Sequence, residues 1–438
     1  MATDSNHVAA VIAQRPSIVD HTTVEDKPSS LAQPSSQGQA SGDYPGQESS
    51  GSSQDLKKQY ERKTSAEKNS KKNPNIAKEL KITQELAKLR WTPSDPKMTV
   101  QLALTGLALD DNDIKILAER IRKENRGLTL SLKLSCNKIT VKGAKILASL
   151  FESCLIERLY LDENRIGNDG IHAILLGIQT SRSQILKLTL GKNMLFNPLT
   201  GVSEVLNLEV AKTLATILRN QSLSILVLRG NKICSTGITE IAKGIRDSTT
   251  LNGVDLSETW DGGGLIGGVF LGKNMRTVIL ENNFFNKDEI ADIFRNIISM
   301  KVQEVYLGNS GSNMRADLKG PIDAEVAAVI GMALKGNLTL RVLKLDGNPF
   351  SRSGMEIFAS MFPDAGLLRD LGLSHTFCHT LAAERLAEAA ASSSLERLDL
   401  GFNAIGDEAI PAFRTALAEN RDLTHLNLEA NAIWILGW

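Results

Sequence analysis

Residues 155–166 read LIERLYLDENRI, and this stretch decides the fold of the chain. Leu159 and Leu161 alternate, Asn164 follows three residues after the second leucine, and Ile166 comes two residues later. The same pattern recurs from residue 104 to the end of the sequence. Its twelve copies end at Asn112, Asn137, Asn164, Asn193, Asn231, Thr259, Asn283, Ser310, Asn348, Thr376, Asn403 and Asn431. Such self-similarity predicts a solenoid in which each repeat packs against its neighbours.

Each position of the repeat has a structural reason. The alternating leucines predict a short strand whose alternate side chains point inward. The asparagine predicts the turn after the strand, because its buried amide can pair backbone groups that the turn leaves without partners. A small residue six positions later, such as Gly237 or Gly354, is predicted to open a helix. Aliphatic residues three or four apart in that helix, such as Ile238 and Ile241, then face the strands.

The length of the repeat points to a known family. Most successive turn residues, such as Asn137 and Asn164 or Asn403 and Asn431, are separated by about 28 residues. Such a period with a full helix resembles the ribonuclease-inhibitor-like class of leucine-rich repeat proteins. That class includes ribonuclease inhibitor, the Ran GTPase-activating protein and the sensing domains of nucleotide-oligomerisation-domain-like receptors. The resemblance covers about residues 100–433 and implies an α/β horseshoe of about twelve strand–helix repeats, with a parallel sheet on its concave face.

Composition changes before the repeats. Residues 1–54 include a long stretch of Ser, Gln, Gly and Pro, which predicts a disordered low-complexity region because it buries too little apolar surface to offset its ordering entropy. Residues 55–74 are predicted to be a basic linker, since residues 55–90 hold eleven Lys or Arg and five Asp or Glu. Residues 75–99 predict a capping helix that covers the open end of the repeat domain, residues 100–438.

The end of the sequence departs from the pattern. Asn431 starts a turn, and no helical segment follows it in the sequence. Two explanations stay open. Either Trp434 and Trp438 fold back as apolar cover over the last strand, or the sequence is truncated.

The composition excludes several classes of protein. Lys plus Arg and Asp plus Glu both number 50 among 438 residues, so net charge gives no pull towards nucleic acid or anionic lipid. Four cysteines are too few for a disulfide scaffold and indicate a reducing compartment. No apolar run predicts a membrane span, and the N-terminus lacks a secretory pattern. We expect a cytoplasmic protein, with a nuclear location through the basic segment 57–72 as the alternative.

Residues that alternate with the leucines are predicted to line the concave face, and we take ten of them as candidate partner-binding residues. Tyr160 and Tyr306 fall in the central row, and Tyr and Arg are common anchors of protein interfaces. Charges of both signs are present, without the continuous basic track that a nucleic acid needs. For any one residue, ordinary solvated surface is the alternative. The ten candidates are Arg158, Tyr160, Asp162, Lys187, Arg229, Glu281, Tyr306, Lys344, Asp346 and Asp399.

Two repeats carry inserts. The segments from Asn193 to Asn231 and from Ser310 to Asn348 exceed the common period by roughly ten positions. The extra positions lie between strand and helix, at 194–206 and 311–322. Both inserts are predicted to project from the same rim, where inserts in repeat proteins commonly bind partners. The candidate residues there are Phe196, Leu199 and Arg315. Tolerated drift in an exposed loop is the alternative.

Two motifs resemble cofactor or metal sites. The glycines at 262–267 match G-x-G-x-x-G, but they lie in the shortest repeat, without room for the strand–helix–strand unit of a dinucleotide site. His375, Cys378 and His379 are zinc-ligand types, but the repeat register turns Cys378 inward and places His375 near the rim, so they diverge. No nucleophile–base pair with a family signature is evident. We predict no catalytic residue, no cofactor and no metal, and therefore not an enzyme.

Three functions remain open. The first is an intracellular scaffold or adaptor that binds a protein partner, of unknown identity, on the concave face and the insert-bearing rim, because a solenoid offers a pre-organised surface. The second, implied by the resemblance to the Ran GTPase-activating protein, is a regulator of a small GTPase, with Arg315 reaching the partner's phosphates. The third is an immune-type sensor that lacks an effector module.

Overall fold

The computed structural model describes residues 74–90, 99–125, 127–194, 196–197, 202–259, 274–283, 285–298, 300–309, 322–364 and 366–434. The predicted disordered region 1–54, the linker up to residue 73 and the glycine motif at 262–267 lie outside the described residues. Among the helices that are described, none is long and apolar enough to cross a membrane.

The described residues form one twelve-stranded parallel sheet, in which strands follow one another in sequence order. Each strand is short, because a repeat supplies only two alternating leucines to it. The register places equivalent leucines side by side, as with Leu132, Leu159 and Leu188. The strands are β1 (Thr99–Ala103), β2 (Thr129–Lys133), β3 (Leu155–Tyr160), β4 (Lys187–Thr189), β5 (Phe196–Asn197), β6 (Val202–Ser203), β7 (Ile225–Val227), β8 (Gly253–Asp255), β9 (Thr277–Ile279), β10 (Glu304–Tyr306), β11 (Val342–Lys344), β12 (Asp370–Gly372), β13 (Arg397–Asp399) and β14 (His425–Asn427). All except β5 and β6 belong to this sheet, and those two pair with each other in an antiparallel ribbon.

Helices pack one after another along the outer side of the solenoid. Their apolar faces enter a single core that runs the length of the sheet. In the helix at 235–247, Ile238, Ile241 and Ile245 are all fully buried, as their spacing predicts. The α-helices are α1 (Pro74–Ala87), α2 (Asp111–Glu124), α3 (Val141–Ala148), α4 (Gly167–Thr180), α5 (Leu208–Asn220), α6 (Ser235–Asp247), α7 (Lys287–Ile297), α8 (Ala324–Gly336), α9 (Arg352–Met361), α10 (Thr380–Ala391) and α11 (Ile410–Glu419). The solenoid fold predicted from the repeats is confirmed.

A ladder of buried asparagines joins the turns of neighbouring repeats. Asn231 is fully buried, and its amide nitrogen donates to the carbonyl oxygens of Leu190 (2.8 Å) and Leu228 (2.9 Å). Its amide oxygen accepts from the backbone N–H of Asn193 at 2.7 Å. In the degenerate copies the hydroxyls of Thr259 and Thr376 replace one of these bonds. The asparagine therefore pairs backbone groups in its own turn and in the preceding one.

The first repeat differs from the sequence prediction. Leu102 of β1 lies beside Leu132 of β2, so the residue equivalent to Asn137 is Leu107, and Asn112 lies inside α2. Asn112 was therefore the wrong residue for this turn. The turn is stabilised from the second repeat, because the amide oxygen of Asn137 accepts from the N–H groups of Leu107 (3.1 Å) and Leu109 (2.9 Å). Having no repeat before it to bridge, the first turn keeps a leucine at this position.

The glycines six positions after the turn residue do not open the helices. Gly237 and Gly354 are the third residues of α6 and α9. Their small size has a packing reason instead. A Cβ on Gly354 would lie 2.4 Å from the carbonyl oxygen of Ile322 in the preceding repeat. Glycine at this point allows each helix to start directly against the previous one.

The two ends of the solenoid are finished differently. At the first end, Leu86 of α1 and Leu89 are buried in the core, and the carboxylate of Glu85 accepts the N–H of Ala103 on β1 at 2.8 Å. Helix α1 therefore supplies both apolar cover and a partner for the edge strand. At the other end Trp434 is 77% exposed, so this residue does not cover the last strand. Trp438 lies outside the described residues.

Candidate functional site

The strand register arranges the side chains of the concave face in three rows. Direct pairing places Arg158 beside Lys187 in the first row and Tyr160 beside Thr189 in the second. The alternation in the sequence predicts Arg229 in the first row, beside Arg158 and Lys187, and this prediction is wrong. Ile225 pairs with Lys187, so Arg229, four residues further on, lies in the third row with Asp162 and Glu281. The rows contain Arg158 and Lys187 (first), Tyr160, Tyr306, Lys344 and Asp399 (second), and Asp162, Arg229, Glu281 and Asp346 (third).

At the N-terminal part of the face, cations from three adjacent strands surround Tyr160. The ammonium nitrogens of Lys133 on β2 and Lys187 on β4 lie 5.6 Å and 5.4 Å from the centroid of the Tyr160 ring. Arg158, two residues before Tyr160 on β3, is the direct neighbour of Lys187. Cation–π attraction to the ring partly offsets the repulsion between these like charges. The result is a half-buried aromatic ring flanked by positive charge.

Two of the candidate carboxylates are engaged within the sheet. Asp162 accepts from the hydroxyls of Ser135 (3.1 Å) and Thr189 and from the N–H of Gly191 (2.8 Å). Asp346 accepts from the N–H of Ser374 at 2.8 Å. Burial, followed by the repulsion of Asp399, raises the pKa of Asp346 despite that bond and the nearby Lys344. Both aspartates tie one strand to the next, a structural role that the sequence pattern did not reveal.

The centre of the face has an apolar cluster beside buried charge. Ile225 and Ile279 are buried, with Val227 and Tyr306 packed against them. Burial and the carboxylates around Tyr306, that of Glu304 above all, raise the pKa of its phenol, which therefore stays protonated at neutral pH. Sequence reasoning missed Ile225, although its aliphatic character in an outward-facing position was a usable signal.

Charged partners border this central cluster. Asp255 on β8 lies between β7 and β9, and burial raises the pKa of its carboxyl. Arg229 pairs with Glu258 at 2.8 Å, and Glu281 is close enough to contribute to the electrostatics of both Arg229 and Tyr306. Half-buried ion pairs around an apolar centre resemble the rim and core of a protein interface.

In the C-terminal part of the face, charged side chains have partners on the neighbouring strand. Lys344 on β11 forms an ion pair with Asp370 on β12. Asp399 on β13 accepts from the side-chain amide of Asn427 at 3.0 Å. Pairing across neighbouring strands holds these side chains in place and lowers the conformational entropy that a partner would have to freeze on binding.

A family model described as "Leucine Rich repeat" matches residues 130–148 and 391–413, which contain Asn137 and Asn403 with their strands. The chain has a leucine-rich repeat solenoid fold. Among solved structures, an internalin from Listeria monocytogenes is similar to this chain, with 16% sequence identity over 81% of this chain and 89% of that chain, at a TM-score of 0.45. The search of curated proteins found no match.

The first insert of this leucine-rich repeat protein contains the β5–β6 ribbon, in which Phe196 pairs with Ser203 and Asn197 with Val202. The ribbon lies between β4 and α5, so it follows a strand as the repeat length predicts. The side chain of Phe196, together with Leu199 and Arg315, lies outside the described residues. Their roles therefore stay predictions.

An aromatic patch on the rim was not predicted. The rings of His375 and Phe402 stack with centroids 4.4 Å apart, and Phe377 is 61% exposed. His375 and Phe402 have the positive φ that the same repeat position also has at Cys136 and Glu163, whereas Phe377, with a φ of 62°, lies two residues beyond that position. The exposed rings of Phe377 and Phe402 make this rim a second candidate contact surface.

The three residues of zinc-ligand types have different surroundings. Cys378 is fully buried, and burial raises the pKa of its thiol to about 12. His375 stacks on Phe402, and the Nε2 atom of His379 lies 3.6 Å from Glu356. Within the described part of the chain, no three His, Cys, Asp or Glu side chains are grouped as a metal site.

Proposed function

We propose that this leucine-rich repeat protein is an intracellular, non-catalytic scaffold that binds a protein partner through its concave face and the adjoining insert-bearing rim. We also propose that its repeats belong to the ribonuclease-inhibitor-like class, because α-helices follow most of the strands at a period of about 28 residues. Twelve strands at ~4.8 Å spacing give an inner surface roughly 50 Å long, which suits a folded partner rather than a small molecule.

One observation carries the proposal. The half-buried rings of Tyr160 and Tyr306 stand in the same row of a sheet whose turns are locked by the asparagine ladder. Each ring is held among charged side chains from neighbouring strands. Rigid aromatic anchors in a polar surround supply much of the binding energy in protein interfaces, and their pre-organisation lowers the entropy cost of binding.

The experiment is affinity capture with the full chain from a lysate of its source organism, read by quantitative mass spectrometry. Tyr160→Ala and Tyr306→Ala are compared with Met332→Ala, which removes a 56% exposed side chain from α8 on the opposite side. A specific partner retained by the wild type and by Met332→Ala, but lost with either tyrosine variant, is the expected result. Equal recovery by all four baits would refute a concave binding face.

A further inference from the structure

The strand β14 forms one edge of the large sheet. Within the described residues it pairs with β13 alone, in parallel register. The carbonyl oxygen of Asn427 accepts the N–H of Leu400, the residue after β13, at 2.9 Å. Backbone groups alternate in direction along a strand, so the N–H groups of Leu426 and Leu428 face away from β13. They form a short template to which a further strand can pair.

The opposite edge of the sheet, at β1, is covered by side chains of the chain itself. The carboxylate of Glu85 accepts the N–H of Ala103 at 2.8 Å, and the ammonium group of Lys88 donates to the carbonyl oxygen of Gln101 at 3.3 Å. Side chains bound to an edge strand in this way compete with pairing by another chain. The two edges of the sheet therefore differ in their capacity to bind a strand.

The leucines of β14 are also less covered than those of the other strands. Leu426 and Leu428 pack against the end of the core but are only half-buried. Their equivalents one repeat earlier, Leu398 and Leu400, are 2% and 0% exposed. A strand added at this edge would therefore bury apolar surface as well as pair backbone groups.

The sequence of β14 and its flank is complementary to itself when reversed. Residues 425–429 read HLNLE. In an antiparallel pair centred on Asn427, Leu426 of each copy lies opposite Leu428 of the other, and His425 lies opposite Glu429. Alternation places the two leucines on the core side and the other three side chains on the concave side in both copies. Each imidazole then faces a carboxylate, a favourable cross-strand pair that occurs twice.

We propose that two copies of this chain pair edge to edge through β14, in an antiparallel contact whose two-fold axis passes through Asn427. Such an interface uses the same patch on both copies. The two twelve-stranded sheets join into one, with both concave faces on the same side. The proposal goes beyond the proposed function and does not depend on it, although a dimer with two concave faces binds a bivalent partner more tightly.

The first test places a cysteine on the two-fold axis. Directly opposed residues without mutual backbone hydrogen bonds have Cα atoms about 4.5 Å apart, a separation that suits a disulfide. Asn427→Cys in the full chain should therefore give a 427–427 disulfide on mild oxidation, identified by mass spectrometry of peptides from the covalent dimer. Thr424→Cys is the control, because Thr424 is exposed beside the same strand but its two copies would lie about 20 Å apart.

The second test exchanges charges and follows the dissociation constant of the dimer by sedimentation equilibrium. His425→Glu places like charges opposite each other twice, and it should raise the dissociation constant about tenfold or more. Adding Glu429→Lys to that variant restores opposite charges and should return the constant to within about threefold of the wild type. Thr415→Glu adds the same charge at an exposed position of α11 and should change nothing.

Rescue by the double variant would support the proposal, because it shows that positions 425 and 429 of different copies face each other. A chain that stays monomeric at its highest soluble concentration overturns it. In that case, slow hydrogen exchange at the amides of residues 426 and 428 would show that residues 435–438 of the same chain cover the edge. A dimer that resists His425→Glu, or one that links at 424 as readily as at 427, also overturns it. These measurements use the purified chain, so their outcome is separate from that of the capture experiment.

Discussion

Replacing Asn231 with leucine tests whether the asparagine ladder holds the solenoid together. Asn231→Leu keeps a side chain of similar size but removes three hydrogen bonds: to the oxygens of Leu190 and Leu228, and from the N–H of Asn193. The Leu190 oxygen keeps a bond from the side chain of Asn193, and the Leu228 oxygen keeps one from the backbone of residue 231. The N–H of Asn193 is left buried and without a partner.

The expected loss of stability follows from which of these backbone groups keep a hydrogen bond and which do not. A buried donor without a partner costs about 1–3 kcal/mol, and each carbonyl that loses one of two bonds costs about 0.5–1 kcal/mol. Asn231→Leu should therefore lower the free energy of unfolding by about 2–5 kcal/mol. Asn431→Leu is the matched variant. Asn431 makes the corresponding bonds to the carbonyl oxygens of Leu400 and Leu428 and accepts the N–H of Ile405, two residues after the preceding turn asparagine, but it is half-buried, so water can replace these bonds. We expect a loss of about 0.5–1.5 kcal/mol there.

Urea unfolding followed by circular dichroism measures both losses. Solenoids can unfold in parts, so native-state hydrogen exchange at the amide of residue 193 is measured as well. That amide should exchange faster in Asn231→Leu even under conditions that leave distant repeats protected. A loss of unfolding free energy for Asn231→Leu no larger than that for Asn431→Leu would refute the reasoning, because burial would then not determine how much the asparagine ladder stabilises the fold.

Three further outcomes follow from the packing and electrostatics. Gly354→Ala should lower the urea midpoint, because its Cβ would meet backbone of the preceding repeat at 2.4 Å, whereas Gly308→Ala should be better tolerated, since its Cβ would come no closer than 3.4 Å to the carbonyl oxygen of Asp346. Asp346→Asn should be more stable than wild type at pH 7. The pKa of the Asp346 carboxyl is raised above its ordinary value of 3.8 by folding, so the wild type loses stability as the pH rises above 3.8 and this carboxyl ionises. The advantage of the variant should therefore vanish in unfolding curves at more acidic pH. Leu86→Ala should cost about 2–5 kcal/mol and raise hydrogen exchange mainly in β1, because it removes a fully buried side chain from the cap.

The repeat predicted most of the fold because one pattern fixes several features at once. Alternating leucines set strand and inward direction, and the common period sets the register of every strand against the next. The prediction was wrong at the first turn. The sequence pattern assigned Asn112 to the turn position, but the structure places Leu107 there, five residues earlier. A terminal repeat has a neighbour on one side only, so its turn need not carry the bridging amide. Periodicity carries no information about such an end.

The predicted starts of the helices were also wrong, because the glycines are required by contacts with the preceding repeat. Gly354 looked like an opening residue, yet α9 begins at Arg352 with Ser351 as its cap. The need for glycine comes from the carbonyl of Ile322 in the repeat before it. Similarly, Asn337 at the end of α8 donates to carbonyls of Ile297 and Met300 in the previous repeat. These contacts join residues about 30–40 positions apart, so they cannot be read from a pattern within one repeat.

In the candidate site too, the sequence predicts which face a side chain lies on but not which groups it contacts. The pattern placed Asp162 and Asp346 on the concave face, but it did not show that each accepts the N–H of the third-row residue on the next strand, Gly191 and Ser374 respectively. Both acceptors have a small neighbour across the strand, and a Cβ on Gly191 would approach the Asp162 carboxylate to 3.0 Å. Such a carboxylate is an internal strand-to-strand tie, whereas Lys187 has the bulkier Arg158 as its neighbour on the adjacent strand. The residue one repeat away therefore decides whether a carboxylate on this face can reach a backbone N–H, and a pattern within one repeat does not show it.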